Sequence, residues 1–301
     1  HYCLTPETRV LHADLTWRRL GDTFEGDALL ACCESGAGRN GRILEEACVT
    51  KLHRRQADCL RVTAADGRII TASRDHLFLA RRFDTSSPNW LWISAEDLRE
   101  GDILCAPLRP WGTSRDRDWG YLAGILDGEG TWHTASTAAI SFSQKPGLVL
   151  HEACSLLDRY GIAYHLQPRP EYGVTVVLMS GLQATLELLG TARPVRLMVE
   201  HRWLGRSLRS RIWSNALPVE SIEPVGMREV VSLETSTHTY ISEGLISHNC
   251  VDSNSITQSV FERDVAWHAS GANARGIGVE HAGRAGQLAS GWGDLYSHAM
   301  L

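Results

Sequence analysis

The sequence predicts a mainly β domain split by an inserted α+β unit and followed by a stretch of different texture. Three observations predict it. Apolar runs alternate at short spacing up to about Pro107, the apolar period lengthens to that of helices between Asp116 and Ser214, and strand-like text returns after Pro218. In the first region CLRVTAADGRIITAS reads as two strands joined at Asp66-Gly67, because Asp-Gly between alternating apolar residues suits a tight turn with positive φ. In the second, helical stretches at WGYLAGILDG, LVLHEACSLLDRYG and LQATLELLG alternate with strand-like runs such as AAISFSQ, AYHLQ and GVTVVLM. Their order is helix, strand, strand, helix, strand, strand, helix. In the third, REVVSLET and THTYIS resume the β pattern and run to His248, Asn249 and Cys250, after which the text turns rich in glycine and alanine.

Composition narrows the function classes. With 301 residues and 43% hydrophobic content, the chain has material for two or three cores. No run approaches the roughly 18 apolar residues of a membrane span, and the start has no signal-peptide core, so no membrane partner is expected. The opening at His1, without an initiator methionine, reads as a fragment or an excised piece. Eight cysteines without a regular framework point to a reduced compartment, here the cytoplasm. A formal net charge of -5 excludes a global pull toward nucleic acid, so any DNA contact needs a local patch.

The chemistry sits at two flanks. Cys3, in CLTPETRVL, has a thiol that can attack the carbonyl of the residue before it, while the side-chain amide of Asn249, in His248-Asn249-Cys250, can attack its own backbone carbonyl. Together they bracket a segment able to cut itself out. An amide is a poor electrophile, so the Tyr2-Cys3 bond needs a polarised carbonyl or a protonated leaving nitrogen, and a histidine of near-neutral pKa suits that work. His76 is the candidate. The plain alternative makes His76 and His238 structural histidines of a non-splicing β domain.

These residues carry a resemblance. The β region, Cys3 to about Pro107 and Pro218 to Asn249, resembles the Hedgehog/intein fold of self-splicing inteins. The resemblance implies that Cys3 makes the first N–S acyl shift. SRDHLFLA is similar to the family's Thr-x-x-His block, with Ser73 in the threonine position and His76 on the oxyanion and leaving-group side. VVSLETSTHTYISEGLISHNC resembles the last two blocks, giving His238 in the first, then His248 assisting cyclisation of Asn249, and Cys250 as acceptor of the thioester. Ser232 stands where many inteins carry an aspartate. No cofactor is implied for splicing.

WGYLAGILDGEGTW resembles the signature of LAGLIDADG homing endonucleases, in which small residues such as Ala123 and Gly124 let two helices pack closely. In that family Glu129 would bind a divalent cation, Mg2+ or similar, that activates water. Asp127 reads as structural, and Gln144 and Lys145 in SFSQKPG would lie near the scissile phosphate or base edges. A single motif implies a homodimer on double-stranded DNA, with Lys145, Arg169 and the basic run from Arg193 to Arg211 as its contacts. That run is equally a solvated charged stretch, and the insert is equally one that keeps its fold without cutting.

Removing Cys3 through Asn249 joins HY to CVDSNSITQSVFERDVAWHASGANARGIGVEHAG, which resembles the middle of a zinc-dependent N-acetylmuramoyl-L-alanine amidase, as in phage endolysins. AWHAS and GIGVEHAG carry the match and place Glu280 at the catalytic glutamate. Zn2+ belongs to the complete host enzyme only, and His1, His268 and His281 receive no ligand role. The host would act on peptidoglycan at the cell wall. The expected organisation is an upstream remnant at 1–2, the splicing domain at 3–113 and 217–249, the endonuclease at 114–216 and the amidase fragment from 250 to 301. Two other readings stay open: a self-cleaving module of the same fold that does not join its flanks, and a cell-wall hydrolase carrying an inert insertion.

Overall fold

The chain begins its β region with β1 (Cys3–Leu4), β2 (Arg9–Leu11), β3 (Trp17–Arg19), β4 (Ala28–Cys32), the long β5 (Leu44–Ala64), β6 (Ile69–Ser73), β7 (Leu77–Arg81), β8 (Leu91–Ser94) and β9 (Ile103–Cys105). The computed structural model describes residues 2–33, 42–83, 90–133, 138–208 and 216–249. All of them belong to one compact unit, Tyr2–Asn249. The β region is completed near the end of that unit by β14 (Ala216–Thr235), β15 (Thr239–Ser242) and β16 (Leu245–His248). These strands form a sheet in the order β3-β2-β15-β16-β7-β9-β14-β1-β6-β5-β4, with β8 added to β7 and a further pairing of β14 with β5.

The expected turn at Asp66-Gly67 joins β5 to β6, and Gly67 takes the positive φ of 83° that such a turn needs. The length of β5 and β14 was not legible in advance. They run antiparallel from Val219↔Ala64 to Thr235↔Val49, with register shifts at Val219/Ser221, Pro224/Gly226 and Glu234/Thr235. Such shifts bend a strand that would otherwise be too long for one flat ladder, and Pro224, which has no N–H to give, sits at one of them. The consequence for function is topological. β1 lies between β14 and β6, and β16 lies between β15 and β7, so both ends of the unit are interior strands of one sheet.

The insert runs α1 (Arg117–Glu129), β10 (Thr131–Trp132), β11 (Ala139–Gln144), α2 (Leu148–Arg159), β12 (His165–Arg169), β13 (Val174–Ser180), α3 (Leu182–Ala192) and the short α4 (Val195–Val199). The alternation of helices and strands is the one the sequence pattern gives, and its four strands pair in the order β10-β11-β13-β12. Asp116 caps α1 by accepting from the Trp119 amide at 3.0 Å, and Trp119, Leu122 and Leu126 form its buried face. The helix stops at Gly130, where a Cβ would lie 2.3 Å from the Leu126 carbonyl.

The insert does not keep a core to itself. One continuous apolar cluster joins Leu11, Leu15, Leu30, Leu44 and Trp111 of the β region to Trp119, Leu126, Leu186, Leu189 and Trp203 of the insert. Trp111 donates through Nε1 to the Leu15 carbonyl at 3.1 Å and meets Trp17 edge-on at 5.5 Å. Gly190 lets α3 approach this joint, since a Cβ there would stand 2.3 Å from Trp111 Nε1 and 2.7 Å from the Leu15 carbonyl. A second cluster, built on Leu4, Val62, Phe78, Val231 and Tyr240, fills the β region alone. Among the described residues no helix is long and apolar enough to cross a membrane.

Candidate active site

Cys3 is fully buried on β1, directly across the ladder from Ser232 of β14. Its amide nitrogen, which belongs to the Tyr2-Cys3 bond, donates to Ser73 Oγ at 3.0 Å, and the same hydroxyl donates to the Cys3 carbonyl at 3.3 Å. Ser73 therefore bonds the amide that the sequence marks as the expected point of attack. Arg55 Nε donates to Cys3 Sγ at 3.4 Å. Asp75 closes the group: burial pushes its carboxyl up, but the Ser73 hydroxyl and the charge of Arg55 hold it below the usual carboxylate range, so it is ionised at neutral pH.

His76 corrects one expectation. Its ring is fully buried with its edge toward Phe78 at 4.8 Å, and neither ring nitrogen has a hydrogen-bond partner among the described residues. Burial pushes its pKa down to about 3, against the opposing pull of Asp75 and with a further push from His248. The near-neutral titration that the sequence suggests is overridden by desolvation. A neutral imidazole cannot act as an imidazolium acid at neutral pH, but it keeps one N–H without a partner among the described residues, the kind of donor a carbonyl oxygen gaining negative charge can use.

Asn249, only 1% exposed, follows β16 directly. Its backbone N–H donates to the His238 carbonyl at 3.0 Å. The side-chain amide is satisfied at both ends when Nδ2 donates to the His238 carbonyl at 2.5 Å and Oδ1 accepts from the Thr235 amide at 2.6 Å, the orientation adopted here over the single 3.3 Å bond from Nδ2 to the Thr235 carbonyl. The turn after β14 grips the asparagine, and His238 enters through its carbonyl, its backbone held at a φ of 61°. His248 is flanked by the rings of Trp92 at 4.8 Å and Tyr2 at 6.0 Å. Its charge reaches His76. Cys3, Ser73 and His76 thus lie in one buried region of the sheet with His248 and Asn249.

Sequence reasoning missed Arg55, Asp75 and Trp92. Asp75 lies inside the SRDH block and was readable there, whereas Arg55 is one cation in LHRRQ and carries no local mark of its use.

The second candidate centre is open. Glu129 is exposed at the C-terminal end of α1. Gly120, Gly124 and Gly128 are exposed one helical turn apart, and a Cβ on any of them would meet nothing within 4 Å. Asp127 does act structurally, but on a neighbouring helix: it accepts from the amides of Val195 and Arg196 at 3.1 and 2.8 Å, at the start of α4. Gln144 ends β11 half-buried, opposite Thr175, and Lys145 beside it is exposed. Much of the basic run is engaged within the chain. Arg193 donates to the Asp14 carbonyl at 3.0 Å, Arg196 to the Leu126 carbonyl at 3.1 Å and the Gly130 carbonyl at 2.5 Å, Arg202 pairs with Glu200, and Arg206 donates to the Arg202 carbonyl at 2.9 Å. Among the described residues no three His, Cys, Asp or Glu side chains converge as a metal site. Cys250, His268, Glu280 and His281 lie outside the described residues.

A family model described as N-acetylmuramoyl-L-alanine amidase matches residues 191–301. That match begins in α3 and runs through β14, β15 and β16 into the stretch after Asn249. Among solved structures the chain is similar to a mutant of the Ssp DnaB mini-intein, at 13% identity and a TM-score of 0.42, covering 83% of this chain and 100% of that one. It is similar also to a DnaB intein from Synechocystis, at 11% identity and a TM-score of 0.39, covering 83% and 100%. A gp41-1 intein variant follows at 12% identity and 0.38, again covering 83% and 100%. No curated protein matches the chain.

Proposed function

We propose that Cys3–Asn249 is a self-splicing segment that excises itself and joins its flanks. The observation that carries this reading is the convergence of the two ends. Cys3 has Ser73 on its leaving nitrogen, Asn249 is buried at the end of a strand of the same sheet, and His76 and His248 are close enough to influence each other.

In the first step the Cys3 thiol adds to the Tyr2 carbonyl carbon. The new C–S bond replaces the Tyr2-Cys3 C–N bond, and the thiol proton ends on the freed amino nitrogen. The neutral N–H of His76 stabilises the oxyanion, and Ser73 orients the leaving nitrogen. The Cys250 thiol then takes the acyl group by thioester exchange, which returns the thiol to Cys3. Asn249 Nδ2 next attacks its own carbonyl carbon and breaks the Asn249-Cys250 C–N bond, releasing the segment with a terminal succinimide. The freed Cys250 amine finally takes the acyl group from its own sulfur, which closes the peptide between the flanks. Nothing in these steps requires a metal or cofactor. The test is intact-mass analysis of the chain expressed with longer flanks. Ligated flanks plus a free segment, lost in Cys3→Ala and Asn249→Ala, support splicing. An unchanged precursor defeats it and leaves a hydrolase carrying an inert insertion ahead.

A second reading, cleavage without ligation, is favoured by Ser232. The residue directly opposite Cys3 is uncharged where many inteins have a carboxylate, so thioester exchange lacks that group. Separated flanks without a ligated product select it.

For the insert the proposal is a DNA endonuclease that works as a homodimer. The open glycine face of α1 supports it, because only side-chain-free positions let a second helix approach closely. Glu129 offers a single carboxylate, so a divalent cation would need the matching one from a second copy of the chain. Mg2+ bound there would supply Lewis-acid activation of water. Lys145, Arg169 and Gln144 would face double-stranded DNA. For the flank, the amidase match supports a peptidoglycan-cleaving host whose Zn2+ and Glu280 function only after splicing. Splicing and homing belong to the cytoplasm in this reading, and the host's action to the cell wall.

A further inference from the structure

The first nucleophile has a cationic neighbour that no motif announces. Register explains how it gets there. Cys3 faces Ser232 across β1 and β14, Ser232 faces His53 across β14 and β5, and Val230 faces Arg55 two residues along. Side chains two apart on a strand share a face, so Arg55 stands on the same side of the sheet as Cys3. There Cys3, Ala57, Cys59 and Val230 form a small buried cluster, and the guanidinium closes over it with Nε 3.4 Å from Cys3 Sγ.

We propose, on the basis of the self-splicing reading, that Arg55 is a catalytic residue of the first step, holding the attacking sulfur of Cys3 as a thiolate. A buried thiol in an apolar cluster resists ionisation, as the neighbouring Cys59 does, whose thiol burial pushes up and Cys3 pushes further. The Arg55 guanidinium puts a fixed positive charge 3.4 Å from the sulfur, where it attracts a sulfur anion. Arginine suits the position because it keeps its charge at any working pH, and Arg55 as a whole remains exposed, so its own charge stays hydrated.

The other groups around the pair come from every packed element. β5 brings Asp58 and Cys59, and β14 brings Arg228 and the uncharged Ser232. The turn after β6 brings Asp75, with His76 neutral beside it. Tyr240 of β15, also kept protonated by burial, is close enough to feel Cys3, and His248 lies behind His76. Asp75 divides the influence of Arg55 with the sulfur. Ser232, lacking a carboxylate, adds no second negative charge opposite the thiolate. Arg55 keeps all its protons through the reaction: ionisation gives the thiol proton to solvent, the new C–S bond to Tyr2 replaces the Tyr2-Cys3 C–N bond, and the freed Cys3 nitrogen takes one proton back from solvent.

The experiment uses the full chain with longer flanks and Asn249→Ala, which leaves only the first step and thioester exchange. Dithiothreitol-induced cleavage at the Tyr2-Cys3 bond is followed from pH 5.5 to 9.5 in this parent, in Arg55→Met and in Arg55→Lys, with circular dichroism confirming the fold of each. Arg55→Met is expected to cleave about tenfold more slowly at pH 7, with the acid limb moved up by about one pH unit and the rates converging at high pH. Arg55→Lys should recover most of the loss and, being the milder change, carries the test if the methionine variant does not fold. An unmoved acid limb, or a loss equal at every pH, overturns the role. Absence of cleavage in the parent itself overturns the self-splicing reading, and this inference with it.

Discussion

The centre around Cys3 is buried and crowded, whereas the acidic end of α1 is exposed and incomplete. Cys3, Ser73, His76 and Asn249 are each no more than 2% exposed, while Glu129 and the three glycines before it face open space. On the functions proposed for the two regions, the difference follows from where each substrate would be. A centre acting on its own backbone has its scissile bond delivered by folding, so it can exclude water and gain the effective concentration of a fixed geometry. A centre acting on an external polymer must leave room for it, and one whose metal ligands come from two copies is incomplete in either alone.

Substitutions can break this comparison. The largest effect is expected at His76. His76→Ala should slow thiol-induced cleavage of the Tyr2-Cys3 bond on the order of a hundredfold or more, measured by gel densitometry, while hydroxylamine-sensitive thioester falls below detection. A drop of less than about fivefold would remove His76 from the oxyanion and leave Ser73 as the main contact. The next effect tests the joint between the regions. Gly190→Ala places a Cβ against Trp111 Nε1 and the Leu15 carbonyl and should cost about 1–3 kcal/mol in urea unfolding. The loss should appear in a single transition, because one core cluster spans both regions. Two separated transitions, with only the second shifted, would show that the insert folds independently.

An effect of similar size comes from pH. The folded state holds His76 neutral, with its pKa near 3, whereas the unfolded chain takes up a proton below the ordinary histidine value of 6.5. The unfolded state then binds more protons, so stability falls as pH drops below about 6.5, by at most about 1.4 kcal/mol per pH unit from this group, and the loss levels off near pH 3. Above about 6.5 the group contributes no pH dependence. Urea midpoints at pH 7.5, 5.5 and 4.5 should show the decline, and His76→Gln should flatten it. The smallest effect on splicing belongs to Glu129. Glu129→Gln should leave the yield of ligated flanks within twofold by mass spectrometry while abolishing Mg2+-dependent DNA nicking, and a splicing loss as large as that of His76→Ala would erase the distinction between the two centres.

What the sequence determined by itself was local. Alternation marked the strands, the Asp66-Gly67 turn marked a hairpin, and the 3.6-residue period marked α1, α2 and α3. Each of these signals is carried by residues within one turn or one strand of each other, where backbone geometry and side-chain type are read directly. Only the tertiary structure decided the rest. It set β5 and β14 at about twenty residues, through bulges that no pattern encodes. It brought Arg55 to the thiol of Cys3, fifty-two positions away, by sheet register. It also merged the core of the insert with that of the β region and, by burial, pushed the pKa of His76 down. Register, shared burial and desolvation are properties of what a residue is packed against, and those neighbours come from distant segments that meet only in the folded chain.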